Sequence, residues 1–198
     1  LGRPQVLRVE VDAPLPVGVS AKDLALHLLA RPDLRAGAGV GRVFEFGGPG
    51  IRALDTDERA TLTNMTAEMG GFTGLVEPDA ETVRFLRERR GLDFALQPWM
   101  RSDLGAPYAQ VITVAAASLS PCVARPGDPG LGVPLADLGL PAQRPAVDIA
   151  YGGSCTAGKR ADFEQYHAVL AWANSAGRRV APGVQLILQF GTVDVRDW

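Results

Sequence analysis

The sequence predicts an α/β protein with mostly parallel sheets. Short apolar runs with the composition of strands alternate with longer segments whose apolar residues recur at helical spacing, over most of the 198 residues. Towards the end of the chain, a strand at 147–151, a helix at 160–173 and a strand at 184–190 follow one another. This is the order of a parallel crossover unit, whose ligands are expected at the carboxyl ends of its strands.

Composition and charge exclude several classes of protein. The chain is 46% hydrophobic and 21% charged, as globular proteins are, and its net charge of −2 offers no basic face for nucleic acid. No apolar run approaches the roughly 20 residues of a membrane span. Two cysteines cannot provide a disulfide framework for this length, so we expect a cytoplasmic location with no nucleic-acid or membrane partner. A start at Leu rather than Met suits a processed chain or an excised piece.

The first elements are a strand, a helix and a second strand. Residues 6–11 alternate apolar and polar side chains, which predicts a strand, and Ser20 is placed to cap the helix that follows. His27 lies on or beside the apolar stripe of that helix and is interpreted as a structural histidine. The next strand is predicted at 40–46, and the glycines of 47–50 close it and let backbone approach another group.

A polar helix follows. Asp55 with Glu58 three residues later resembles a capping box, and the helix is predicted to run to the glycines at 70–71. Asn64 and Glu68 are four residues apart, so they are expected to share one face of it. Spacing alone favours a solvated face for these two side chains.

Three further elements complete the first part of the chain. Residues 72–76 predict a short strand, and Asp79 is placed to cap a helix that runs through Arg90. No clean periodicity is found at 92–108. Residues 110–117 predict a strand of mainly small apolar side chains.

A segment rich in proline and glycine divides the chain. Residues 121–145 contain six prolines and four glycines, which predicts an irregular crossing rather than a packed element. We therefore predict an α/β subdomain at 1–118, a crossing at 119–146 and the start of a second α/β subdomain at 147–198. Cys122, at the start of the crossing, is interpreted as a small half-buried loop residue.

The most informative stretch is a glycine-rich turn, which we call the cysteine turn (residues 152–158). It follows the predicted strand at 147–151 and precedes a segment of helical composition. This order places Ser154, Cys155 and Thr156 at a helix N-terminus, where backbone N–H groups and the helix dipole favour anions, including a thiolate.

The spacing of the turn allows three kinds of chemistry. The spacing of Gly153 and Gly158-Lys159, with four residues between them, fits a phosphate loop. However, Arg160 occupies the position at which such a loop needs a hydroxyl group to bind magnesium. Cys155 as a nucleophile would need a base, and the nearby His167 lies about two turns along the helix and points back poorly. Cys155 as a metal or iron–sulfur ligand is the third hypothesis, and spacing leaves the three open.

Several motifs together resemble one family. The Gly-Ser-Cys-Thr of 153–156 looks like the signature of the large subunits of aconitase and isopropylmalate dehydratase, the iron–sulfur hydro-lyases. Residues 44–51 resemble that family's Glu-Phe-x-Gly-x-Gly-Ile stretch, and 59–68 resemble its Arg-x-Thr-Ile-x-Asn-Met-x-x-Glu helix. The glycine-rich stretch at 70–79 and the Val-Gly-Val-Ser-Ala-Lys-Asp of 17–23 have counterparts too.

The resemblance implies a fold of three-layer α/β/α units and a set of site residues. Cys155 matches the first of three cysteine ligands of a [4Fe–4S] cluster, whose open iron acts as a Lewis acid. Asn64 and Glu68 match active-site residues near that cluster, and Ser154 and Thr156 would be cluster-shell residues. The implied substrate is a small hydroxy di- or tricarboxylic acid, and the implied partner is a small swivelling-domain subunit.

The chain also departs from the family pattern. The family's other two cluster cysteines form a Cys-x-x-Cys motif that lies beyond Trp198, and Ala157 replaces a common Asn. The leading hypothesis is therefore a portion of a hydro-lyase that is inactive in isolation. The alternatives are a noncatalytic binding or assembly module without a cluster, and a phosphate-loop nucleotide-binding protein.

Overall fold

The computed structural model of the chain describes residues 2–139 and 146–198. These residues form two compact units: residues up to Leu138 belong to the first, and residues from Gly139 onward to the second.

A four-stranded parallel sheet forms the centre of the first unit. Its strands, in chain order, are β1 (Val6–Val11), β2 (Val43–Gly47), β3 (Thr73–Val76) and β4 (Gln110–Val114). Their order across the sheet is β3-β2-β1-β4, so β1 pairs in parallel with both β2 and β4. A parallel sheet flanked by helices confirms the predicted α/β class.

Five α-helices connect these strands. They are α1 (Ala21–Leu29), α2 (Pro32–Arg35), α3 (Pro49–Arg52), α4 (Thr56–Asn64) and α5 (Ala80–Arg90). The local signals for α1 and α5 are confirmed: Ser20 caps α1 in a capping box, and Asp79 caps α5. Gly91 ends α5 with φ of 62°, a left-handed conformation that glycine adopts without steric cost.

The core lies on one face of the sheet. Alternate residues of each central strand are buried there because successive strand side chains point to opposite faces. These residues pack with leucines of α1 and α4, and the group includes Leu7, Val9, Val11, Phe44, Phe46, Ile112, Val114, Leu24, Leu28 and Leu62.

The opposite face of the sheet is polar, with Glu45 at its centre. The Glu45 carboxylate accepts hydrogen bonds from Arg8 Nη1 (2.6 Å), from the Tyr108 hydroxyl (3.1 Å) and from the Ser102 hydroxyl. Burial and the nearby Glu45 charge raise the pKa of Tyr108, so its hydroxyl stays protonated as a donor. The segment without periodicity is thus fixed to the sheet by hydrogen bonds, which local sequence patterns do not reveal.

The segment predicted as an irregular crossing (119–146) contains a hairpin before residue 140, and its residues 140–145 lie outside the described part of the chain. Strands β5 (Cys122–Ala124) and β6 (Gly132–Pro134) pair antiparallel, and a 3₁₀ turn at Leu135–Leu138 follows. The hairpin packs on α1 because the Cys122 N–H donates to Asp23 Oδ1 (2.7 Å). Gly132 also keeps β6 close to α1, since a Cβ there would lie 3.2 Å from the Leu26 carbonyl oxygen.

Asp23 therefore stabilises two elements at once. Its Oδ2 accepts from the backbone N–H and hydroxyl of Ser20 (2.7 Å each), while Oδ1 accepts from Cys122. We expect Asp23→Ala to lower the free energy of unfolding by about 1–3 kcal/mol, because backbone donors lose a charged acceptor. Urea denaturation of the full-length protein measures this loss. In the control, Asp93→Ala removes a carboxylate that is 95% exposed, and an equal loss there would contradict the prediction.

The second unit contains the predicted crossover. Strands β7 (Ile149–Gly153) and β8 (Gln185–Gln189) pair in parallel, with Gly153 opposite Gln189, which confirms that prediction. The helices of this unit are α6 (Ser154–Ala157), α7 (Arg160–Ser175) and α8 (Val193–Asp197).

The strands of the second unit are more exposed than predicted. Ile149 and Tyr151 of β7 are 57% and 52% exposed, although their composition predicts a buried strand. The cause is that, within the described part of the chain, β7 and β8 pair only with each other. No helix in residues 2–139 and 146–198 has both the length and the apolar character that spanning a membrane requires.

Candidate functional site

Helix α4 carries the first of the two predicted active-site residues but not the second. Asn64 is its last residue and Glu68 lies in the tight turns that follow, so the prediction of one helix reaching Gly70 is wrong. Beyond the end of the helix, the buried Thr66 donates its hydroxyl to the Leu62 carbonyl (3.1 Å), and side-chain bonds of this kind compete with the backbone hydrogen bonds of a helix. Asn64 and Glu68 are both exposed, shortly before β3 begins.

Glu68 lines a cavity of about 300 Å³ in the first unit. Arg35 and Asp128 also line it, with 3.4 Å between Arg35 Nη2 and Asp128 Oδ2. Arg35 Nη1 donates to the Gly130 carbonyl (2.5 Å), which ties the end of α2 to the turn before β6. A cavity of this size is at the lower end of the range that binds small molecules. It offers a small polar ligand one guanidinium group and two carboxylates.

Cys155 follows the carboxyl end of β7, at the edge where a parallel crossover unit is expected to bind ligands. Its thiol is exposed and lies 3.8 Å from the Thr156 hydroxyl oxygen. The backbone at the start of the turn is unusual: Gly153 has φ of 125° and Ser154 has φ of 72°. Among residues 2–139 and 146–198, Ser154 is the one non-glycine residue with a positive φ, a conformation that costs energy and often marks functional sites.

The three predicted cofactor-binding residues form a helical turn of their own. Residues 154–156 belong to α6, and Gly158 separates them from α7, so their predicted place at the N-terminus of the long helix is corrected. Glycine is required at this break, because a Cβ at Gly158 would overlap the backbone of Ser154 and Gly191. The Gly191 N–H donates to the Gly158 carbonyl (2.9 Å), which joins the cysteine turn to the segment after β8.

The phosphate-loop and nucleophile hypotheses lose support from two side chains. Lys159 Nζ donates to the Thr156 carbonyl and pairs with Asp162 Oδ2 (3.0 Å), so its charge is used within and beside the turn. His167 lines a cavity of about 470 Å³ walled by Phe163, Phe190 and Trp198, and none of the residues lining that cavity belongs to the cysteine turn.

The whole chain matches one protein family. A profile described as Aconitase family (aconitate hydratase) matches residues 1–198, and the chain belongs to the aconitase family. It is 33% identical, over 229 aligned positions, to the 3-isopropylmalate dehydratase large subunit of Roseiflexus castenholzii (strain DSM 13941 / HLO8). The alignment covers 98% of this chain and 47% of that protein, so the chain spans about half the length of the curated relative it matches. The family resemblance predicted from the motifs is confirmed.

Of the two free cysteines in the described residues, one has an exposed thiol. Members of the aconitase family generally bind a [4Fe–4S] cluster. In residues 2–139 and 146–198, no group of three or more His, Cys, Asp and Glu side chains is placed to hold a metal. The exposed Cys155 thiol, on a turn that backbone contacts hold in place, fits one ligand position of a thiolate-bound cluster.

Sequence reasoning missed several side chains around these sites. Arg35 and Asp128 were not singled out because they are far apart in the chain and meet only through the hairpin. Tyr166 lies in the segment 160–173 that is predicted as a helix, and its hydroxyl donates to the Ala157 carbonyl (2.9 Å). Helical spacing locates the ring of such a residue, but it carries no signal for the partner of the hydroxyl.

Proposed function

We propose that this chain is part of a [4Fe–4S]-dependent hydro-lyase that dehydrates and rehydrates a hydroxylated di- or tricarboxylic acid. Membership of the aconitase family, together with an exposed Cys155 on the Gly-Ser-Cys-Thr turn, is the observation that supports it. The isolated chain is expected to be inactive because a single thiolate cannot hold a cluster.

The proposed roles follow from the chemistry of each side chain. Cys155 would hold one iron of the cluster, and Ser154 and Thr156 would lie in the shell around it. When bound, the cluster supplies an open iron that acts as a Lewis acid toward a hydroxyl and a carboxylate. Glu68 makes no hydrogen bond or ion pair with other described residues, so its carboxylate is available to exchange a proton with the departing hydroxyl. Asn64 would orient that hydroxyl through its side-chain amide.

A second polypeptide is also part of the proposal. The relative from Roseiflexus castenholzii is named as a large subunit, so we propose a small subunit, with a swivelling domain, as the partner of this chain. We also propose a cytoplasmic location, because a solvent-exposed cysteine ligand of a cluster has to remain reduced.

Anaerobic reconstitution tests the function. The full-length protein, meaning this chain together with the remaining parts of the proposed hydro-lyase, is incubated with iron and sulfide, with and without the proposed small subunit, and then with a panel of hydroxy di- and tricarboxylic acids. We expect the absorption of an iron–sulfur cluster and the reversible formation of an unsaturated acid. A folded protein that binds no cluster would favour the noncatalytic module, and a loaded protein that hydrates no acid of the panel would reject the hydro-lyase.

Replacement of Glu68 tests the proton-transfer role. We expect Glu68→Gln to leave cluster content unchanged and to lower kcat by about 10²–10⁴-fold, because the amide cannot exchange the proton. Cluster absorption and steady-state kinetics on the reconstituted protein measure the two quantities. Glu88→Gln, which changes an exposed glutamate on α5, is the matched control. Equal kcat values in the two variants would remove Glu68 from the mechanism.

A further inference from the structure

Three hydrogen-bond donors bind the backbone of the cysteine turn. The carbonyls of residues 156–158 all accept hydrogen bonds, from Lys159 Nζ, the Tyr166 hydroxyl and the Gly191 N–H respectively. Lys159 directly follows the turn in sequence, and the donor of Gly191 is its backbone N–H. Tyr166, six residues beyond the start of α7, is the donor that reaches the turn from the long helix.

The Tyr166 hydroxyl binds the C-terminal end of α6. It donates to the carbonyl of Ala157 (2.9 Å), the last residue of that helix. Ala157 lies two residues beyond Cys155, so this hydrogen bond holds the end of the short helix that carries the thiol. Burial and the nearby Asp162 charge raise the pKa of Tyr166, which keeps the hydroxyl protonated as a donor at neutral pH.

Packing fixes the ring that carries this hydroxyl. A Cβ added to Gly152 would lie 3.1 Å from Tyr166 Cζ, so the ring lies against the bare backbone at the end of β7. On its other side, the Phe163 ring meets it edge to face, with 5.4 Å between centroids. Phe163 in turn stacks on Phe190, which follows β8 (4.6 Å). The ring therefore has little freedom to carry the hydroxyl away from the turn.

We propose that Tyr166 is a positioning residue for Cys155: its hydroxyl binds the Ala157 carbonyl while its ring packs against Gly152, so the segment that carries the thiol is held at both ends. The effect on a bound cluster rests on the proposed function, whereas the effect on the turn does not. Removing the hydroxyl leaves the Ala157 carbonyl without this donor, and the end of α6 then opens locally more often.

Hydrogen exchange measures the opening. In the full-length protein without cluster, we expect Tyr166→Phe to speed the exchange of amides in 153–158 by about three- to tenfold, since one hydrogen bond is lost. Phe keeps the ring packing, so the thermal unfolding midpoint should change little. Tyr151→Phe is the matched control, because the Tyr151 hydroxyl bonds the Gln189 side chain and not the backbone of the turn. Equal exchange of 153–158 in the two variants would overturn the proposal.

Two further readouts separate positioning from general stability. The rate of Cys155 alkylation, relative to that of Cys122 in the other unit, should change in Tyr166→Phe and not in Tyr151→Phe. In protein loaded with a cluster, Tyr166→Phe should lose iron to a chelator several-fold faster than the control. If neither variant nor wild type binds a cluster, the proposed function fails, while exchange and alkylation still decide the role of Tyr166.

Discussion

Replacing Cys155 with serine should reduce the cluster content of the reconstituted full-length protein to background and abolish its hydro-lyase activity. A serine hydroxyl stays protonated at neutral pH and is a poor iron ligand, whereas a cysteine thiolate is the usual ligand of iron–sulfur clusters. The substitution changes one exposed atom, so we expect the fold to be retained. Visible absorption and iron analysis of anaerobically reconstituted protein measure the loss.

Cys122 provides the control within the same chain. It lies half-buried in β5, its thiol donates to the Ser120 carbonyl (3.1 Å), and burial and the nearby Asp23 charge raise the pKa of that thiol. Each of these features disfavours the thiolate, so Cys122→Ser should keep the full cluster content. Cluster loss in Cys122→Ser together with retention in Cys155→Ser would reverse the assignment of the ligand.

Replacing Arg59 with methionine should lower the free energy of unfolding by about 3 kcal/mol or more, because it breaks a buried ion pair. Arg59 is 5% exposed and binds both carboxylate oxygens of Asp79 (2.8 Å each). It also donates to the backbone carbonyls of Leu54 and Arg52 (3.0 Å each), so one guanidinium group joins α4, the N-cap of α5 and the loop after α3. Urea denaturation of the full-length protein measures the change.

An arginine on the surface provides the control for this experiment. Arg84→Met removes ion pairs with Glu81 and Glu88 from an exposed face, and we expect it to lower the free energy of unfolding by less than about 1 kcal/mol.

Burial acts to raise the pKa of Asp79, but the hydrogen bonds and charge of Arg59 outweigh it and hold that pKa below its usual range. The stabilisation should therefore be complete above about pH 4 and be lost as pH falls through the lowered pKa. Equal losses in the two arginine variants would contradict the structural role.

The parts of the fold that could be predicted from sequence depend on local signals. Helix α5 begins after Asp79 and ends at Gly91, as its capping residues predict, because both signals act within one helical turn. The end of α4 could not be predicted in this way. Its polar pattern continues to Glu68, and that pattern gives no sign of the competing hydrogen bond from the Thr66 hydroxyl to the Leu62 carbonyl.

The residues of the candidate site also differ in whether the sequence alone could single them out. A four-residue motif and its family resemblance are sufficient to single out Cys155. The hydroxyl of Tyr166 and the pairing of Arg35 with Asp128 depend on how elements pack in three dimensions, and neither leaves a periodic mark in the sequence. The exposure of the β7–β8 pair was also not predictable. The composition of a strand indicates whether its side chains suit burial, but it does not show which neighbouring elements cover the strand.

The strand order β3-β2-β1-β4 has a consequence for how the first unit folds. Strand β1 precedes the other three strands of its sheet in the chain, yet one of its two edges stays unpaired until β4 has been synthesised, more than ninety residues later. The hydrogen bond from the Ala116 N–H to Asp12 (2.8 Å) closes the same long loop. Contacts so distant in sequence slow folding and leave a sheet edge open to other chains in the meantime. The central strand β1 is thus synthesised before the rest of its sheet and is among the last of its strands to be protected.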